Sequence, residues 1–228
     1  MAYTAIDDPS VYFQTKIYTG TNNQLVLTFD GNSDLQPDMI WTKNRSRAST
    51  NHVLSDTVRG IGKGLYPDLA NAEGDTNYIS AIGSNGYTIA ATDSVEINRD
   101  DDTFVSWNWK AGTTASGTTG GSGTGKSYSY SANTTSGFSV VTYTGNATAG
   151  HLIPHGMSKV PRLIHIKSRG DDNGWHSGSI VSASAWNDHG YLHLNNAFGT
   201  DANQFGATPD ATNFRLGTGT GTNGNNGT

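Results

Sequence analysis

Residues 120–127 read Gly-Gly-Ser-Gly-Thr-Gly-Lys-Ser, so Gly120, Gly125, Lys126 and Ser127 match the G-x-x-x-x-G-K-S pattern of a nucleotide-binding loop. That chemistry needs a buried strand before the first glycine and a helix starting at the Lys-Ser, so that amide N–H groups converge on phosphate. The preceding "KAGTTASGTT" has no buried-strand pattern, and the following "SYSYSANTTSG" alternates as a strand does. Where Gly, Ser and Thr dominate, the motif arises by chance, and the stretch reads as a linker that binds no nucleotide.

The remaining chemistry-bearing residues are thinly spread. His151 and His155 flank Pro154, and His189 and His193 enclose "GYL", so neither pair has the helical spacing that aims two imidazoles at one metal. Asp100, Asp101 and Asp102 form the best oxygen-rich candidate for Ca²⁺, although the run lacks the spacing of a known calcium loop and reads equally as a turn. Glu73 and Glu96 are the only glutamates, which leaves little for paired-carboxylate hydrolysis. The expectation is therefore no enzyme, no metal and no cofactor. The aromatics offer more. Trp107 and Trp109 share one face of a strand and are expected to fill a core. Trp175 and Trp186 lie in polar stretches beside His176, Asn187 and His189, a mixture of stacking faces and hydrogen-bonding groups suited to a glycan or a partner.

The elements that would position these residues are strands. Short alternating or β-branched runs at 11–18, 24–29, 39–43, 87–91, 103–109, 137–144, 162–167 and 190–195 are separated by Gly, Asn, Asp and Pro. Residues 65–79 allow a turn or one short helix at most. The class is all-β, of sandwich type. Within it lies a repeat. Tyr18-Thr19-Gly20 recurs as Tyr143-Thr144-Gly145, "PDMIWTKNR" as "PRLIHIKSR", and "SNGYTIA" as "ATNFRLG", at offsets of 125, 124 and 127. Two tandem modules follow, over 1–111 and 132–228, joined by a Gly/Ser/Thr-rich linker over 112–131. The second lacks a counterpart of the closing strand "TFVSWNWKAG", so the expectation is either a longer polypeptide or a strand supplied by a neighbour.

Composition narrows the partners. Charged residues are 14% of the chain and the net charge is −5, which gives phosphate no basic surface and excludes nucleic acid as an expected partner. There is no cysteine, hence no disulfide or thiolate site, and no apolar run long enough for membrane insertion.

The phrases "DGNSDLQPDMIWTKNRS", "HVLSDTVRG", "SNGYTI", "FVSWNWKAG" and "SANTTSGFSVVTYTGN…HGMSKVPRLIHIKSR" resemble tail-fibre-like and appendage proteins of marine bacteriophages, cyanophages among them. The resemblance covers nearly the whole chain. It implies two jelly-roll sandwiches similar to the concanavalin A-like lectin fold, at the virion surface and made in the host cytoplasm. It further implies a homo-oligomer, other tail or capsid proteins as partners, and host surface polysaccharide as a possible target.

Overall fold

The computed structural model describes residues 6–179, 186 and 188–228. The chain is all-β, every strand pair is antiparallel, and it divides into two units: residues 6–66 with Gly74–Gly112, and Pro67–Glu73 with Thr113–Thr228.

In unit 1 a short 3-10 turn, Pro9–Val11, is capped by the Asp8 carboxylate, which accepts from Ser10 N–H at 2.9 Å. Nine strands follow: β1 (Phe13–Thr19), β2 (Leu25–Thr28), β3 (Met39–Asn44), β4 (Val53–Asp56), β5 (Lys63–Gly64), β6 (Gly74–Asp75), β7 (Ile79–Gly83), β8 (Gly86–Ile89) and β9 (Thr103–Trp109). They form a four-stranded sheet ordered β1-β9-β3-β4, a three-stranded sheet ordered β2-β8-β7, and the small pair β5-β6. Tyr18, Ile40 and Phe104 from the first sheet meet Leu27, Ile79, Tyr87 and Ile89 from the second in one core, so the unit is sandwich-like. No helix forms over 65–79.

Unit 2 holds β10 (Thr113–Thr118), β11 (Gly120–Gly121), β12 (Ser127–Asn133), β13 (Phe138–Tyr143), β14 (His151–Pro154), β15 (Leu163–Ile166), β16 (His176–Ser179), β17 (Asp188–Tyr191), β18 (Gly199–Thr200), β19 (Asn213–Leu216) and one helical turn, α1 (Thr220–Asn223). Its sheets are ordered β10-β12-β13, β11-β14-β19 and β15-β16-β17-β18. Ile153, Ile166, Trp186, Phe205, Phe214 and Leu216 make the core, with Val141, Tyr143 and Ile164 packed against it.

The expected linker over 112–131 is corrected here. Residues 113–118 and 127–133 are paired strands, because Thr and Tyr are good strand residues and the Gly-rich run between them supplies a turn. Gly121 and Gly123 each take φ +81 there, a conformation glycine adopts without strain.

The repeat is legible in hydrogen bonds as well as letters. Buried Asn98 accepts from Thr21 N–H and donates to Asn23 O and Ala90 O; buried Asn223 accepts from Asn146 N–H and donates to Thr148 O and Gly217 O. Tyr18 Oη donates to Ile97 O at 2.8 Å, and Tyr143 Oη to Thr222 O at 2.5 Å. Asn22 and Ala147 both adopt a left-handed backbone, φ 58 and 56, and Asp101 and Asn226 do the same at φ 61 and 58. Each pair of positions is separated by 125 residues, except Ala90 and Gly217, which are 127 apart.

Candidate functional site

Along β9 the side chains alternate strictly. Phe104, Ser106 and Asn108 are fully buried, while Val105, Trp107 and Trp109 are half-buried on the opposite face. The expectation that the two tryptophans fill the core is therefore corrected. The interior beneath this sheet is already occupied by the rings of Tyr18, Phe104 and Tyr87, which leave room only for small polar side chains at Thr42, Ser55 and Ser106. Asn108 fits because its amide donates to Gln14 O at 3.1 Å and to Ser106 Oγ at 3.0 Å.

The outward face is consequently aromatic. In the ladder Trp107 stands between Thr15 of β1 and Trp41 of β3, Trp109 between Phe13 and Met39, and Val105 between Ile17 and Lys43. Trp41 and Trp107 meet edge to face at 6.3 Å, and Phe13 leans on Trp109 at 5.0 Å. Trp41 Nε1 donates to His52 Nδ1 at 2.9 Å, which fixes both rings. Lys43 is held by Thr50 O and Thr50 Oγ1 at 2.8 and 2.9 Å, so its charge borders the face. Phe13 and Ile17 are 37% and 61% exposed. The result is a rigid patch of apolar rings bordered by Thr15, His52 and Lys43. Such a surface can stack on a sugar ring or pack on an apolar partner.

The residues expected to make surface contacts lie elsewhere. Trp175, His176, Trp186 and His189 are 5%, 5%, 5% and 8% exposed, so none offers a face to a ligand, and their assignment as contact residues is corrected. The physical reason is that each completes the interior of unit 2. Trp186 packs edge to face on Phe205 at 6.0 Å, and His176 stacks on His189 at 5.5 Å, with Tyr191 against both. Burial, reinforced by neighbouring His189, pushes the His176 imidazole down to about 4. Asn187 lies outside the described residues.

The other candidates are tied into the framework. Asp102 is nearly buried and its carboxylate is taken by Arg47 Nε at 2.5 Å and Asn44 Nδ2 at 2.9 Å, the Arg47 hydrogen bond holding it below the ordinary carboxylate range. Asp100 and Asp101 are exposed, so the three aspartates do not converge on a calcium position. Among the described residues no group of three or more His, Asp or Glu could hold a metal ion. Lys126 Nζ donates to Asn226 Oδ1 at 2.8 Å, and Ser127 opens a strand instead of a helix, so Gly120, Gly125, Lys126 and Ser127 build no phosphate cradle. Glu73 forms a two-point ion pair with Arg169 at 3.0 and 2.7 Å. Glu96 accepts from Asn51 Nδ2 and Tyr78 Oη, both at 3.0 Å. His151 bridges Asn223 Oδ1 and Thr119 Oγ1 at 2.9 and 2.7 Å in full burial.

Sequence reasoning singled out Trp107 and Trp109 but assigned them to the wrong side. The signal that could have reversed the assignment is Asn108 between them, a polar side chain that the interior accepts beside Thr42, Ser55 and Ser106. Trp41 lies inside the repeated "PDMIWTKNR" run, where nothing in the sequence marks it as a surface residue.

No curated protein and no solved structure matches the chain. One family model matches residues 8–228, nearly the whole length. The chain therefore belongs to the family described as a domain of unknown function, DUF7483.

Proposed function

We propose that the protein is a non-enzymatic structural component of a bacteriophage particle, of tail-fibre or appendage type, that attaches to surface glycans through the outer aromatic face of unit 1. The observation that carries this reading is the ladder of Phe13, Trp41, Trp107 and Trp109 turned away from the core on a four-stranded sheet. Tryptophans held at fixed spacing on a rigid sheet provide stacking platforms with little ordering cost on binding. The sequence resemblance supplies the virion setting, and the sandwich-like core of unit 1 fits the concanavalin A-like jelly roll that resemblance implies. Weak single sites suffice where many copies are presented together.

Affinity electrophoresis in host-envelope polysaccharide tests the reading. Wild-type protein is retarded, and Trp107→Ala and Trp41→Ala migrate as in plain gel; unretarded wild-type oligomer would sink the glycan assignment.

A second reading, an assembly protein that binds only other capsid or tail proteins, is favoured by one observation: Phe13 and Ile17 are 37% and 61% exposed on the same face, an apolar surface that suits a protein partner.

A further inference from the structure

The charges beside the rings of unit 1 decide which glycans its outer face can tell apart. On β3 the alternation that turns Ile40, Thr42 and Asn44 inward turns Met39, Trp41 and Lys43 outward. The ladder runs one step past the strand: Arg45 N–H bonds Thr103 O at 2.7 Å, so Arg45 continues the outward series. An indole, an ammonium and a guanidinium therefore follow one another along a single strand, at backbone intervals of about 7 Å.

The sign of the charge is one-sided. The chain holds 19 acidic residues against 14 lysines and arginines. Yet the outward positions of β1 and β9 beside β3 are aromatic, aliphatic or threonine, and none is a carboxylate. On β4 the outward register reaches Asp56, which is buried and ion-paired with Arg59. Two other cations of this sheet region are spent as well, Lys16 on Asp30 and Arg47 on Asp102.

Lys43 and Arg45 differ from these. Lys43 Nζ gives its protons to neutral oxygens, Thr50 O, Thr50 Oγ1 and, at 3.4 Å, Arg47 O, so its charge is fixed in place without a counter-ion. Arg45 is exposed, and its guanidinium has no hydrogen bond or ion pair among the described residues. Its N–H groups form a planar fork that matches a carboxylate, whereas Lys43 has no proton left to offer and contributes field alone.

We propose, on the basis of the glycan reading above, that the ligand class of this face is acidic polysaccharide of uronate type. The fork of Arg45 takes a sugar carboxylate in the field of Lys43, while a neighbouring sugar of the same polymer stacks on Trp41 and Trp107. Arg45 is the residue that sets specificity, and the tryptophans supply the stacking that any sugar ring can use. A neutral glycan leaves the fork to water; a polyanion without apolar sugar faces leaves the rings uncovered.

The test runs the full 228-residue protein in affinity gels containing polygalacturonate, its methyl-esterified form, or dextran sulfate, at pH 7, where free carboxyl groups are ionised. The proposal expects polygalacturonate to bind at least about fivefold more tightly than the ester, the scale of one charge-assisted hydrogen-bonded pair. That preference shrinks as salt is raised. Arg45→Gln abolishes it, so that acid and ester bind alike, and keeps the wild-type melting curve because the side chain has no hydrogen bond to lose. Trp41→Ala weakens the binding of acid and ester together. Equal binding of acid and ester by wild type overturns the proposal and leaves the glycan reading standing. Retention in none of the three gels also overturns it, and the host-envelope gel then shows whether the glycan reading falls with it. An acid preference that survives in Arg45→Gln, or dextran sulfate bound as tightly as polygalacturonate, overturns it too, the first because another site holds the carboxylate and the second because charge alone explains the retention.

Discussion

At the residue scale several histidines are structural parts whose burial favours the neutral form. His176, His151, His155 and His193 all titrate below the ordinary imidazole value, and burial is the first cause in each. His176 is the extreme case, at about 4, faced by His189, His193, Lys167 and Asp201. The unfolded chain takes up protons below about 6.5, whereas folded His176 resists them until about 4, so the stabilisation is full above 6.5 and drains away as pH falls through that window. Denaturant titrations should show a loss of about 1–3 kcal/mol between pH 7 and 4.5, a part of which disappears in His176→Gln. A flat profile over that range would show that the His176–His189 stack is hydrated. Carboxylates such as Asp210, lowered to about 2 by hydrogen bonds from Thr212, act in a separate and more acidic window. None of this was legible from the sequence, where His176 and His189 stood beside polar residues and looked exposed. Local polarity misled because the sandwich interior of this protein accepts polar side chains.

At the element scale the repeated asparagine lock carries the fold of each unit. Asn98 is fully buried and its side chain makes three hydrogen bonds to backbone. Replacement by Ala leaves those backbone groups unpaired, so Asn98→Ala should cost about 2–4 kcal/mol in equilibrium unfolding, and Asn223→Ala a similar amount. Gly20 and Gly145 sit against the same turn: a Cβ at Gly20 would lie 2.2 Å from Arg99 O, and one at Gly145 2.2 Å from Gly224 O. Either Gly→Ala change should therefore lower Tm markedly, and tolerance of both would refute the shared close approach. Much of this level was readable beforehand. Alternation placed β1, β3, β9 and β13, and the Tyr-Thr-Gly repeat marked both copies of the lock. Which face of β9 turns inward was not readable, since alternation fixes two faces without saying which one meets large rings. The Gly/Ser/Thr run was also misjudged, because its strand β12 is specified by partners on β10 and β13 and not by its own hydrophobicity.

For the molecule as a whole, the proposed function rests on the aromatic surface of unit 1, in a chain of low charge and all-β architecture. Unit 1 offers the aromatic face on which the proposed glycan binding rests. The family membership over residues 8–228 gives no activity to test against, so the decisive experiment is a binding one. Wild type, Trp41→Ala and Trp107→Ala, checked for equal thermal stability and equal oligomeric state, should be compared on immobilised host-envelope polysaccharides. The account predicts saturable binding by wild type and a loss of at least about tenfold in either variant, the scale of one aromatic hot spot. Equal binding by all three proteins would contradict it.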